Sequence, residues 1–148
     1  MSSGNVFVYG TLMSKYINPR SGKIEEHSRS KVLRVFRFER ALLKNYKLLW
    51  CNKMNYPFIT ASQGRSVKGE VYYSVGEETI NKLDEIEGVS SGLFEKAKVR
   101  VLTDSGREIE ALVYVGGQTL RSLSNCPSYF TLIPEEFKEK NVAKPQTR

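Results

Sequence analysis

Apolar residues along this chain fall into short runs broken by Gly, Pro, Asn and Asp, a pattern that predicts several strands and few helices. Val6-Phe7-Val8-Tyr9 is a compact β-branched and aromatic run that stops at Gly10-Thr11, and reads as a buried strand with a sharp C-terminal break. Residues 13–30 are polar, carry Asn18-Pro19 and Ser21-Gly22 as turn signals, and read as a loop with room for one helical turn. From Lys31 to Cys51 the apolar positions predict two extended segments interrupted at Lys44-Asn45. Tyr56-Pro57 imposes extended or turn geometry, Phe58-Ile59-Thr60-Ala61 is a further short strand, and Gln63-Gly64-Arg65-Ser66 is a turn. Val67 to Val75 alternates as a strand with one solvated face would. The runs from Lys96 to Leu102 and from Glu108 to Val115 alternate on either side of Asp104-Ser105-Gly106, a hairpin signal that ends at Gly116-Gly117.

The helical period appears once with clear ends. Ile80, Leu83 and Ile86 share a face, Glu77 and Glu78 suit a first turn, and Gly88 suits a left-handed stop. Glu87 breaks the pattern, because an anion at the C-terminal end of a helix faces the negative pole of the helix dipole. A Glu lifted from its ordinary pKa of about 4.3 toward neutrality is suited to accept and return a proton. Glu87 is therefore a candidate catalytic acid/base, set against the plain reading of a solvated Glu at a helix end. A second short helical run opens at Pro134 and takes in Glu135, Glu136, Phe137 and Lys138, and the polar tail from about 141 is expected to fray.

These elements predict an α+β fold, a small mixed and mostly antiparallel barrel-like sheet with one or two short helices. At 148 residues, 40% of them hydrophobic, the chain can bury one core, and a single domain over 1–148 is expected, without repeats or linker. No apolar run approaches membrane-spanning length, and Met-Ser-Ser-Gly is not followed by a basic and then an apolar stretch, so a soluble cytoplasmic protein with no membrane partner is expected. Cys51 and Cys126 are too few for a disulfide framework, and read as buried thiols. With His27 as its single histidine, in a polar run that reads as loop, the chain offers little for a metal cluster or a His-assisted nucleophile. The net charge of +7 and the dense basic segment between Arg29 and Lys47 allow a polyanion partner. Yet Arg34 to Glu39 mixes basic, apolar and acidic residues as a half-buried element does, and no nucleic-acid motif accompanies it, so nucleic acid is the weaker expectation.

Three blocks, taken in order, resemble the γ-glutamyl cyclotransferase-like family between Val6 and about Ile133. They are Val6-Phe7-Val8-Tyr9-Gly10-Thr11-Leu12, then Tyr56-Pro57 with Val67-Lys68-Gly69-Glu70-Val71-Tyr72, then Leu83-Asp84-Glu85-Ile86-Glu87-Gly88-Val89 with Ser91-Gly92-Leu93-Phe94. The resemblance implies a cofactor-free and metal-free enzyme in which the α-amino group of a small γ-glutamyl substrate attacks its own γ-carbonyl, forming 5-oxoproline and releasing an amine or amino acid. In that likeness Glu87 is the acid/base, and Val6, Phe7, Val8, Tyr9, Gly10, Thr11 and Leu12 form the stretch whose backbone amides hold the glutamyl oxygens. Tyr114 and Tyr129 resemble aromatics near the substrate, and Phe94 stands where the family usually has Tyr. Gly10-Thr11-Leu12 resembles the γ-glutamylamine branch, whereas Glu85 to Val89 with Ser91-Gly92 more closely resembles the branch acting on γ-glutamyl amino acids. The alternative is a non-catalytic protein on the same fold that binds a small metabolite or polyanion, which the missing hydroxyl at Phe94 and the positive charge both favour.

Overall fold

The computed structural model describes residues 3–9, 12–13, 16–17, 23–25, 28–51 and 56–117. Five strands close into a barrel in the order β1 (Ser3–Val8), β5 (Tyr56–Gly76), β4 (Phe38–Cys51), β6 (Phe94–Thr103) and β7 (Glu108–Gly116). Every neighbouring pair is antiparallel except the closing one, where β1 runs parallel to β7 with Val6 opposite Leu112 and Phe7 opposite Val113. Closure through β1 and β7 means that neither is a terminal strand of the sheet. A small ladder, β2 (Tyr16–Ile17) with β3 (Ile24–Glu25), lies within the stretch expected to be loop, and a 3-10 turn spans Ser28–Leu33. The helix α1 (Glu77–Ile86) follows β5 directly.

Two cores follow from the alternation of side chains across this curved sheet. Phe7, Tyr9, Leu43, Ile59, Val67, Val71, Val101 and Val113 point into the barrel. On its outer face Val6, Val8, Tyr72 and Val75 pack with Leu33 and Leu83, and the half-buried Ile80 and Ile86 of α1 join them. Leu83 is fully buried, which anchors the helix with roughly 1.5–3 kcal/mol of apolar burial. Gly69 marks the tightest contact between neighbouring strands, since a Cβ there would lie 2.2 Å from the Val8 carbonyl oxygen and 2.7 Å from the Phe7 ring. Only a glycine lets the Phe7 ring fill the barrel at that level.

The predicted hairpin forms as expected, with Leu102 opposite Glu108 and Gly106 at φ +90°. Its tip is tied to the neighbouring strands: Glu39 of β4 accepts hydrogen bonds from the Tyr73 hydroxyl, from the Ser105 amide at 3.3 Å and from Arg107 at 3.3 Å. Arg37 and Arg107 both lie over the Tyr73 ring, at 5.2 and 5.7 Å from its centre.

Three expectations need correction. The segments on either side of Lys44-Asn45 belong to one strand, β4, while Lys31 to Leu33 belong to the 3-10 turn. Phe58–Ala61 and Val67–Val75 are likewise parts of one strand, β5, and the ladder to β4 passes through the expected turn. Residues 62–65 bulge opposite Asn45, with Asn45 at φ 68° and Gly64 at φ 85°, and the Gly64 amide donates to Asn45 Oδ1 at 3.1 Å. The turn residues thus supply the positive φ of a bulge rather than the end of a strand. The face of β5 carrying Glu70 and Tyr72 is buried, because the residues of the outer core cover it. The run from Pro134, the tail from 141, His27 and Cys126 lie outside the described residues.

Candidate active site

The last turn of α1 places Glu87. Its amide donates to the carbonyl of buried Leu83 at 2.8 Å, and its backbone is still helical at φ −88°, ψ 0°. Gly88 then turns left-handed at φ 65°, a conformation that favours glycine and stops the helix directly after the carboxylate. The loop from Gly88 to Leu93 closes on itself, since the Gly88 carbonyl accepts from the amides of Ser91 and Leu93 and from the Ser91 hydroxyl. It is docked to the end of β7 through the Gly117 amide, which donates to the Leu93 carbonyl at 2.8 Å. Gly117 leaves room for no side chain, because a Cβ would sit 2.3 Å from the Gly92 carbonyl oxygen. Glu87 is consequently held at the end of α1, beside this loop, and is only 8% exposed.

Two tyrosine hydroxyls lie in the field of this carboxylate. Tyr9, just past the end of β1, is buried inside the barrel and donates from its hydroxyl to the Tyr114 carbonyl at 2.7 Å. Burial pushes its pKa well above the ordinary value, the Glu87 charge adds to that, and a hydrogen bond from the Ile59 backbone acts in the opposite direction. Tyr114, on the outer face of β7, donates from its own hydroxyl to Asp84 Oδ1 at 2.7 Å. Burial, the bond to Asp84 and the charges of Asp84 and Glu87 all raise its pKa. Neither phenol ionises at neutral pH, so both serve as neutral hydrogen-bonding groups.

The remaining expected residues divide. Val6 and Phe7 lie in a strand engaged on both edges, by β5 and by β7, and their side chains fill the two cores. The backbone of Val6 and Phe7 is thus paired to both neighbouring strands. Val8 pairs with Glu70 of β5, and Tyr9 follows the end of β1. Leu12 is buried in the outer core, while Gly10, Thr11 and Tyr129 lie outside the described residues. Phe94 opens β6, pairs with Gly116 and packs into the outer core beside Tyr114.

Asp84, Lys96 and Glu70 were not singled out by the sequence. Asp84 stands three residues before Glu87, a spacing that puts both on one helix face. Lys96 lies directly opposite Tyr114 across the β6–β7 ladder and donates to Asp84 Oδ2 at 3.0 Å. Glu70 is a buried carboxylate that accepts the Tyr72 hydroxyl at 3.0 Å and faces Val8 on one side and Arg40 on the other.

The sequence profile of the family described as gamma-glutamyl cyclotransferase, AIG2-like, matches residues 6–130. The chain belongs to this family. The cyclotransferase-like assignment agrees with the fold, a mostly antiparallel sheet of five strands with one helix. Among solved structures the chain is similar to a gamma-glutamyl cyclotransferase at 22% identity and TM-score 0.59, covering 96% of this chain and 99% of that one. It is similar to an AIG2-like protein from Mus musculus at 20% identity and TM-score 0.63, with 87% of each chain covered. A protein from Arabidopsis thaliana, solved in solution, gives 23% identity and TM-score 0.65 over 99% of this chain and 78% of that one. A search of curated protein sequences finds no match. At these identities the structures establish the shared fold, and the catalytic reading rests on the residues themselves.

Proposed function

We propose that the protein is a γ-glutamyl cyclotransferase that converts a small γ-glutamyl amino acid or γ-glutamylamine into 5-oxoproline, with Glu87 as the acid/base. The observation that carries this reading is the placement of Glu87, a carboxylate only 8% exposed and fixed by the end of a helix, whose charge is felt by the phenols of Tyr9 and Tyr114. Membership of the family supports this reaction class.

The chemistry needs few parts, because nucleophile and electrophile arrive on one molecule. Glu87 takes a proton from the substrate's α-ammonium. The freed amine nitrogen attacks the γ-carbonyl carbon, closing a five-membered ring and placing negative charge on the carbonyl oxygen. Glu87 then returns its proton to the leaving nitrogen as the bond between that nitrogen and the γ-carbon breaks and the carbonyl re-forms, and next takes the surplus proton that the ring nitrogen still carries, which departs with the released amine as its ammonium form. The developing oxyanion calls for backbone amide donors, a role that the family resemblance gives to the stretch from Val6 to Leu12.

The test is 5-oxoproline release from γ-glutamyl-alanine, γ-glutamyl-ε-lysine and glutathione. Release from any of the three supports the cyclotransferase, and the preferred member identifies the leaving-group class. A second reading draws on Phe94, an apolar ring in the packed outer core where the family usually carries a hydroxyl. It predicts that γ-glutamyl compounds bind without turnover and that Phe94→Tyr introduces activity.

A further inference from the structure

The hydroxyl of Tyr114 has one proton and two lone pairs, and Asp84 takes the proton. Among the described residues, no other hydrogen bond reaches this hydroxyl. Lys96 fixes the far oxygen of the same carboxylate at 3.0 Å, so Asp84 is clamped between an ammonium group and a phenol, one from β6 and the other from the position directly opposite on β7. With its proton committed, the phenol oxygen can present only lone pairs to an approaching ligand, and Glu87 follows Asp84 by one helical turn at the end of α1.

Resting on the cyclotransferase reading, we infer that Asp84 is a positioning residue: clamped by Lys96, it fixes Tyr114 as a hydrogen-bond acceptor, so that the substrate's α-ammonium is seated between the Tyr114 oxygen and Glu87. A phenol free to rotate would offer its proton to Glu87 or to the substrate carbonyl and compete with the ammonium. The clamp removes that choice and sets the site's preference for a primary ammonium over a neutral or acylated nitrogen. The one-turn spacing of Asp84 and Glu87 means a single helix end sets both the proton shuttle and the acceptor beside it.

Asp84→Asn is the informative change, because it preserves shape while Lys96 sorts the new amide. The ammonium of Lys96 attracts the amide oxygen, which turns the amide NH2 toward Tyr114 and releases the phenol proton toward the site. The KM for γ-glutamyl-alanine is expected to rise about tenfold, with a smaller change in kcat. In a Tyr114→Phe background, where no hydroxyl remains to orient, the same substitution is expected to have little further effect. Thermal unfolding confirms that each variant is folded. Equal costs of Asp84→Asn in the two backgrounds, or an unchanged KM, overturn the inference. If the wild type forms no 5-oxoproline, the cyclotransferase reading fails by itself, and γ-glutamyl-alanine is titrated calorimetrically into the same four proteins. Roughly tenfold weaker binding in Asp84→Asn, cancelled in the Tyr114→Phe background, then upholds the positioning role, whereas equal dissociation constants or no binding by wild type overturn it.

Discussion

Replacing Tyr9 by Phe removes one oxygen atom and tests how the barrel is closed. The β1–β7 pairing runs through Val6 with Leu112 and Phe7 with Val113, and beyond it the seam is continued by the Tyr9 hydroxyl, which donates to the Tyr114 carbonyl at 2.7 Å. The ring stays in place in Tyr9→Phe, so apolar burial is nearly unchanged. What is lost is a buried hydrogen bond, about 1 kcal/mol net, together with the desolvation of a carbonyl left without its donor, about 1–3 kcal/mol. The variant is therefore expected to lose roughly 2–4 kcal/mol, a large share of the 5–15 kcal/mol by which domains are ordinarily stable. For a chain of this size that corresponds to a drop in Tm of about 4–16 °C. Urea unfolding followed by far-UV circular dichroism reads the loss as a lower midpoint at unchanged slope. A loss below about 0.5 kcal/mol would refute the reasoning, since it would mean that the seam is held without the hydroxyl.

Gly69→Ala places a methyl 2.2 Å from the Val8 carbonyl and 2.7 Å from the Phe7 ring and is expected to cost about 3 kcal/mol or more, whereas Gly4→Ala meets nothing within 4 Å and is expected to stay within about 0.5 kcal/mol of wild type, both read by urea unfolding. Burial alone would raise the pKa of Glu39, but hydrogen bonds from Tyr73, Ser105 and Arg107 outweigh it and hold the carboxyl below its ordinary 4.5. A depressed carboxyl contributes stability that is present above its unfolded pKa and lost as pH falls through the folded one. The advantage of wild type over Glu39→Gln is thus expected to be constant at neutral pH and to shrink below about pH 4.5; a difference that does not vary with pH would contradict the pairing.

Local rules read the hairpin from residue 96 to 115 directly, because the period-two alternation and Asp104-Ser105-Gly106 express the same geometry that the ladder adopts. They failed at Gln63–Ser66 and at Lys44-Asn45 for one shared reason. A bulge and a turn draw on the same residues and the same positive φ, and only the pairing of one bulge against the other, 19 residues apart, decides between them. The buried outer face of β5 was hidden similarly, since the polar Lys68 and Glu70 suggest a solvated face, whereas Glu70 and Tyr72 are buried beside the outer core.

Glu87 drew attention in the sequence because its charge stands at the unfavourable end of a helix. The groups around it left no such mark. Tyr9 reaches the Tyr114 carbonyl across 105 residues of chain, and Asp84 reaches the Tyr114 hydroxyl across 30, contacts that only barrel closure and the docking of α1 create. The first block was read as a backbone cradle from its start. In the barrel the side chains of Val6 and Phe7 go to the two cores, and Gly10 and Thr11 lie outside the described residues.

The most direct test of the account is the rate of 5-oxoproline formation by wild type and by Glu87→Gln, each shown to be folded. Gln preserves the shape of the side chain and removes the titratable proton. The account predicts turnover by wild type and a loss of about a hundredfold to ten-thousandfold in the variant, the range for a positioned acid/base. Folded Glu87→Gln protein that forms 5-oxoproline at the wild-type rate would contradict it.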